Sequence, residues 1–253
     1  MTDNNFNKNL LRGKIIVITG AGRGIGLAVA KLMHDCGATI IAHSGRKGSA
    51  KKLSKISTKV FEGDLMDMNS VQEFIEFVLN STLKIDVLIN NAGTMFGRFP
   101  ADTLTDDQYQ DIVSLNQTSV VKITSALIPA LKKSENASIV NTVSISALTG
   151  GSPGSSIYSA TKAFVSTYTK GLARELAPNN IRANAVSPGT ISTDFHKRYS
   201  SEEKLEATRA SIPLKRLGTP DDCSSAYVFL SSEKLSGYIT GQVIEINGGQ
   251  LIV

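Results

Sequence analysis

The stretch from Lys14 to His43 constrains the fold more than any other part of the chain. Lys14–Thr19 (Lys-Ile-Ile-Val-Ile-Thr) is a short β-branched run, apolar on both faces, as a central strand of a parallel sheet requires. It leads into Gly20-Ala-Gly-Arg-Gly-Ile-Gly26 and then Leu27–Cys36, whose apolar residues recur at helical spacing, with Gly37 placed to end the helix. A second strand follows at Ala38–His43. Strand, glycine turn, helix and strand within about 30 residues make a βαβ unit suited to a mononucleotide. The glycines let the backbone approach a pyrophosphate. The helix N-terminus points free N–H groups and the positive end of its dipole at it.

The alternation continues to the end of the chain. Lys59–Glu62, Asp86–Asn90, Ala137–Val143, Ile181–Val186 and Gln242-Val-Ile-Glu-Ile read as strands. Ser70–Leu79, Asp106–Leu131, Tyr158–Ala177 and Cys223–Ser231 read as helices, the second of them split near Asn116 and ended around Pro129. Gly45–Ser57 is a candidate basic surface helix, and the Gly/Ser/Pro-rich stretch before Tyr158 excludes regular structure. No linker, repeat or low-complexity segment interrupts the pattern. The expected fold is α/β: a single doubly wound parallel sheet (Rossmann-like) of about seven strands flanked by helices. One domain spans 1–253, with a polar substrate lid around 190–212.

Net charge is +5, but the charge is spread out, with Lys51, Lys52, Lys132 and Lys133 the only small clusters. That is too thin for a nucleic-acid surface and fits an anionic cofactor or substrate. Cys36 and Cys223 read as buried reduced thiols, and they and the three histidines lack metal-ligand spacing, so no metal is expected. With neither an apolar signal core nor a run of membrane length, a cytoplasmic protein without membrane partners is expected.

Tyr158 and Lys162 lie four apart at the start of a helix, hence on one face. A cation beside a phenol stabilises the phenolate and makes the group usable in proton transfer. Asn116 stands among apolar residues, where an amide must find partners. Asp64 closes the third strand, and Asn91-Ala92-Gly93 closes the fourth with residues small enough to leave room for a ligand. At the end of the second strand, where an acidic residue would accept from an adenine ribose hydroxyl, the chain has Ser44, followed by Arg46 and Lys47. This favours NADP(H) over NAD(H), and Arg23 in the glycine turn adds a further positive charge.

Four motifs in order, Thr19-Gly20-x-x-x-Gly24-x-Gly26, Asn90-Asn91-Ala92-Gly93, Ser144…Tyr158-x-x-x-Lys162 and Pro188-Gly189-x-Ile191-x-Thr193, resemble the short-chain dehydrogenase/reductase family from about Leu11 to Leu251. The resemblance includes 3-oxoacyl-[acyl-carrier-protein] reductase-like members, and sugar, steroid and small-ketone reductases. It implies hydride transfer between nicotinamide and a carbonyl or secondary alcohol, with Tyr158 as general acid/base. Lys162 would depress the Tyr158 pKa and hold the nicotinamide ribose, Ser144 would hydrogen-bond the substrate oxygen, and Asn116 would hold a relay water. Gly20, Arg23, Gly24, Ile25, Gly26, Ser44, Arg46, Asp64, Leu65, Asn91, Ala92, Gly93, Pro188, Gly189, Ile191 and Thr193 would hold the cofactor, with Tyr158 and Lys162.

One departure stands out. The family commonly places its serine thirteen residues before the tyrosine, which here is Ile145. Spacing from the strand selects Ser144, with one extra residue in Ala147–Ile157 and Ser146 as the other candidate. The alternatives are an NAD-linked alcohol dehydrogenase and a non-catalytic cofactor-sensing protein. Relatives imply a homotetramer, built through the helices after Asp106 and Tyr158. An acyl thioester on an acidic carrier is a possible substrate, and Lys132, Lys133, Arg174 and Lys197 could form a basic rim for it.

Overall fold

A computed structural model describes residues 6–45, 47–57 and 59–253, leaving aside the side chains of His196 and Lys197. Seven parallel strands form one sheet in the order β3-β2-β1-β4-β5-β6-β7. They are β1 (Ile15–Ile18), β2 (Thr39–Ser44), β3 (Lys59–Glu62), β4 (Val87–Asn90), β5 (Ala137–Thr142), β6 (Ile181–Pro188) and β7 (Val243–Ile246).

Period-two alternation sorts the strand side chains between two cores. Ile16, Ile18, Val87, Ile89, Val140 and Val186 face one side, against Val29 and Met33 of α1 (Gly24–Asp35) and Tyr227 and Val228 of α9 (Pro220–Ser231). Val17, Leu88, Ile139 and Ala183 face the other. There they meet Phe74 and Val78 of α2 (Met68–Ser81), Ile123 and Leu127 of α4 (Ser119–Leu131) and Leu172 and Leu176 of α6 (Ser156–Leu176). Each such burial is worth about 1.5–3 kcal/mol, and the central strands β4 and β5 are buried along their whole length. The edge strands β3 and β7 are only partly covered.

Several local expectations shift. Asn116 splits the long helix as its polar character suggests, but the break is a π turn, Ser114–Thr118, between α3 (Asp106–Val113) and α4. Its Nδ2 donates to the carbonyl of Ile112 one turn back (2.8 Å), which takes that acceptor from the backbone ladder. Pro129 does not end α4, which runs on to Leu131. Among the described residues of Gly45–Ser57, the expected surface helix is a 3₁₀ segment at Ser49–Leu53. Glu62 accepts the N–H groups of Gly48 (3.0 Å) and Ala50 (2.6 Å), and Gly48 at φ 81° turns the chain left-handed. The stretch before Tyr158 contains one helical turn, α5 (Ser146–Thr149), closed by Gly150 at φ 75°. The segment expected to act as a lid holds α7 (Asp194–Tyr199) and α8 (Glu202–Ser211), and α10 (Glu233–Ser236) follows α9.

Asp86 anchors the end of the sheet opposite the site. It is 1% exposed, and its carboxylate accepts from Ile15 N–H (2.9 Å) and Ser134 Oγ (2.7 Å), with Lys84 at 3.2 Å and Lys14 at 3.5 Å. Burial alone would raise its pKa, but these donors outweigh burial and hold the carboxyl below its ordinary value. The ionised form therefore stabilises the fold at neutral pH, and that stabilisation is lost as pH falls below about 4. Asp86→Asn should cost roughly 1–3 kcal/mol in urea unfolding at pH 7, and the difference from wild type should shrink below pH ~4.

Candidate active site

The strand order reverses between β2-β1 and β4-β5, so a crevice opens where β1 and β4 end side by side. Their ends are tied together. Thr19 Oγ1 accepts the N–H groups of Asn91 and Ala92, both at 3.0 Å, and Asn91 Nδ2 donates to the carbonyls of Thr19 (3.1 Å) and Gly20 (3.2 Å). Gly20 and Gly24 have positive φ, 68° and 53°. At Gly26 a Cβ would come within 2.3 Å of the Gly20 carbonyl, so only glycine lets α1 start this close to β1.

The start of α1 suits an anion. Its N-cap, Arg23, makes no capping hydrogen bond, and no acidic residue lies in the first turn, so the terminal N–H groups and dipole are left for a ligand. Arg23 Nη1 is buried without a hydrogen-bond partner. These features fit the pyrophosphate of a dinucleotide. A cavity of about 830 Å³ runs from this turn past Ser44, Asp64 and Leu65 at one end to Ser144, Tyr158 and Lys162 at the other.

The proton-transfer candidates meet where β5, α5 and α6 converge. Ser144 hydrogen-bonds the Tyr158 phenol, while Ser146 donates its backbone N–H to Ser144 Oγ (3.1 Å). Ser144 is thus the serine that meets the tyrosine, and Ser146 helps to place it. Lys162 Nζ donates to the Thr142 carbonyl (2.9 Å) and lies 5.8 Å from the centre of the Tyr158 ring. Asn116 exchanges hydrogen bonds with the backbone of Thr94, at 3.1 and 2.7 Å. Gly93 fits between the two: a Cβ there would be 2.8 Å from Asn116 Oδ1 and 3.0 Å from Lys162 Nζ.

The electrostatic balance differs from the expectation that Lys162 depresses the phenol. Burial pushes Tyr158 up to about 12, with the Ser144 hydrogen bond pulling the other way. Burial also lowers Lys162 to about 8. Burial is the larger influence on both groups, and the ammonium is directed at the Thr142 carbonyl.

The remaining sequence-selected residues divide by location. Asp64 lines the cavity and accepts from Met66 N–H (3.0 Å), while Asp67 caps α2. Pro188, Gly189, Ile191 and Thr193 line the opposite wall beside Gly24, and Thr193 Oγ1 donates to Ile191 O (3.3 Å). Ile25, Ala92 and Gly93 line it as well. Arg46 lies outside the described residues, as does the Lys197 side chain.

Sequence reasoning missed four contributors. His43 accepts Gly20 N–H at Nδ1 (3.1 Å) and reaches Gly63 O from Nε2 (2.9 Å), bracing the ends of three strands. Burial drops its pKa to about 4, which fixes it as the neutral Nε2–H tautomer. Its place one residue before Ser44, at a strand end, was the available signal. Lys52 lines the cavity from the 3₁₀ segment. Phe195 packs on Tyr158 with ring centres 5.9 Å apart, and Tyr199 Oη meets Thr94 Oγ1 at 3.1 Å, so α7 lies against the site. Among the described residues no cluster of three or more His, Cys, Asp or Glu could hold a metal, and no helix is long and apolar enough to cross a membrane.

A family model described as Enoyl-(Acyl carrier protein) reductase matches residues 20–250. The 3-oxoacyl-[acyl-carrier-protein] reductase FabG of Vibrio harveyi is 35% identical over 246 residues, 96% of this chain and 99% of that protein. The solved NADH-dependent reductase A1-R' responsible for alginate metabolism aligns with TM-score 0.87 at 32% identity, covering 96% of this chain and 99% of that one. A putative NAD(P) dependent gluconate 5-dehydrogenase from Beutenbergia cavernae, solved with bound NADP, gives TM-score 0.88 at 30% identity, covering 95% and 97%. Fold, cavity and relatives together define an oxidoreductase of the dinucleotide-binding α/β class. Within that class, the chain belongs to the short-chain dehydrogenase/reductase family.

The crowding at Gly26 makes a local prediction. Gly26→Ala should weaken binding of a reduced nicotinamide dinucleotide by about tenfold or more, read by titrating the emission of the nicotinamide in a chain that has no Trp.

Proposed function

We propose that the protein is an NADP(H)-dependent carbonyl reductase in which Tyr158 is the general acid/base. The reading is carried by Ser144, Tyr158 and Lys162 converging on the cavity whose other end is the glycine turn. A bound nicotinamide dinucleotide supplies or accepts the hydride, and the remaining work falls to the chain. Gly20, Gly24, Ile25 and Gly26 and the start of α1 would hold the pyrophosphate, Asp64 and Leu65 the adenine, Asn91–Gly93 and Lys162 the nicotinamide ribose, and Pro188, Gly189, Ile191 and Thr193 the carboxamide end.

Tyr158 then gives its phenolic proton to the substrate oxygen in reduction and takes one back in oxidation. A phenol near 12 is protonated at neutral pH, so the proton needed in reduction is present. Ser144 Oγ donates to the same oxygen as negative charge develops on it. Lys162, charged below about 8, keeps a positive charge near the phenol. Asn116 fixes the backbone of Thr94 and stands behind Lys162 in the proton relay.

The preference for NADP(H) rests on this chain's own residues, because the relatives' names divide between NADH and NADP. Ser44 replaces the carboxylate at the end of β2, and Arg23, Lys47 and Lys52 line the cavity there. The carboxylate at the end of β3, Glu62, is already bound by Gly48 and Ala50. A phosphate on the ribose would meet cations there. Phe164, 37% exposed and stacked on Tyr168 along α6, fits a homotetramer built on that helix.

Titration should give NADPH a Kd at least about tenfold below that of NADH, and an NADH preference would overturn the cofactor reading. NADPH oxidation should be seen with members of a panel of 3-oxoacyl thioesters, diketones, quinones and sugars. Binding of NADPH with no turnover across the panel would instead support a cofactor-sensing protein. Ser144→Ala should cut kcat by about tenfold or more while Ser146→Ala does not, and the reverse result would exchange their roles.

A further inference from the structure

Three guanidinium groups, Arg23, Arg98 and Arg198, line the cavity, and among the described residues none is ion-paired with a carboxylate. Arg23 belongs to the start of α1, and the charges felt by it are those of Arg198 and Asp194 from α7. That pair faces the cofactor end. Arg98 lines the same cavity from the loop that follows Gly93.

Arg98 is held in place with unusual care for a surface-loop residue. Its Nε donates to Tyr199 O at the end of α7 (3.0 Å), and its Nη1 donates to Pro153 O (3.2 Å). Next to it, Phe99 N–H donates to Gly154 O (2.8 Å). Gly154 sits at φ 78°, where a Cβ would press to 3.0 Å on Arg98 Cβ. The loop after β4, the loop before α6 and the end of α7 are therefore gathered on one fixed cation.

Both acceptors are neutral carbonyls, so the charge is not compensated. Of the five N–H donors of a guanidinium, two are used and three remain. Lys204 of α8 adds positive charge, its pKa lowered by burial and then by Arg98. A neutral amide could tie the loops together without placing a cation beside the cavity. A fixed guanidinium fork with free donors is the geometry that takes a carboxylate.

We propose that Arg98 seats a carboxylate of the substrate, so that the carbonyl compound reduced is an oxo acid. This rests on the reductase reading above and adds the substrate class to it. Two-point attachment, carboxylate on Arg98 and carbonyl oxygen on Ser144 and Tyr158, orients the reacting carbon in the cavity beneath α7.

The test uses matched pairs in NADPH oxidation: acetoacetate, levulinate and 5-oxohexanoate against their methyl esters, with acetoacetyl-N-acetylcysteamine as a neutral thioester. The best acid should exceed its ester in kcat/KM by about tenfold or more. Arg98→Met should bring that ratio close to one, and Arg98→Lys should keep part of it, since the charge survives without the fork. Circular dichroism and NADPH titration report whether each variant is folded. A wild-type ratio near one, a ratio unchanged in Arg98→Met, or a preference for the neutral thioester overturns the proposal.

If NADPH binds and neither these compounds nor the wider panel of thioesters, diketones, quinones and sugars turns over, the reductase reading fails and the anion site is judged by binding alone. The acids should then perturb the emission of bound NADPH at concentrations where the esters do not, in wild type but not in Arg98→Met. No such difference overturns the Arg98 assignment too.

Discussion

The close approach of the β1 and β4 chain ends is the constraint on which the rest of the structure depends. A Cβ at Gly20 would lie 2.9 Å from the Ala92 Cα, so the two ends touch through backbone, and Thr19 and Asn91 lock them there. That contact sets the floor of the crevice at the topological switch point. It also sets where α1 starts, because Gly26 packs directly against the Gly20 carbonyl. The uncapped N-terminus of α1 and the buried Nη1 of Arg23 are costs that the fold carries in isolation and that an anion would relieve.

The other half of the site is assembled from parts that touch only in the folded chain. β5 delivers Ser144, α6 delivers Tyr158 and Lys162, and the π turn delivers Asn116. The π turn is where local and tertiary demands meet. Asn116 gives one Nδ2–H to its own helix and the other to Thr94, so the loop after β4 is fastened to the helix that follows it. The aromatic contact of Phe195 with Tyr158 joins α7 to the same unit.

Much of this was legible in the residues. β3 has the bounds its sequence suggests, Lys59–Glu62, and the βαβ unit follows from β-branched runs on either side of a glycine turn. The position of Ser144 followed from strand-end spacing once the extra loop residue was allowed for. What could not be read depends on contacts distant in sequence. Arg98 is bound by carbonyls 55 and 101 residues away, and no local pattern marks it. Helix propensity in Gly45–Ser57 gave way because Glu62, from the next strand, claims two of its N–H groups. The elevated phenol of Tyr158 reflects burial, a property of the packed site rather than of the Tyr-x-x-x-Lys spacing.

His43 carries a consequence for how the protein meets acid. An exposed imidazole in the unfolded chain takes a proton near pH 6.5, whereas the buried ring refuses one until about 4. Across that window the unfolded chain binds more protons than the folded one, so the fold weakens with each step of acidification. Once the ring is charged, Nδ1 becomes a donor facing the N–H of Gly20, two donors in opposition at the first residue of the glycine turn. Acid tolerance is therefore set at the strand ends that carry the nucleotide crevice, at milder pH than the range in which Asp86 protonates.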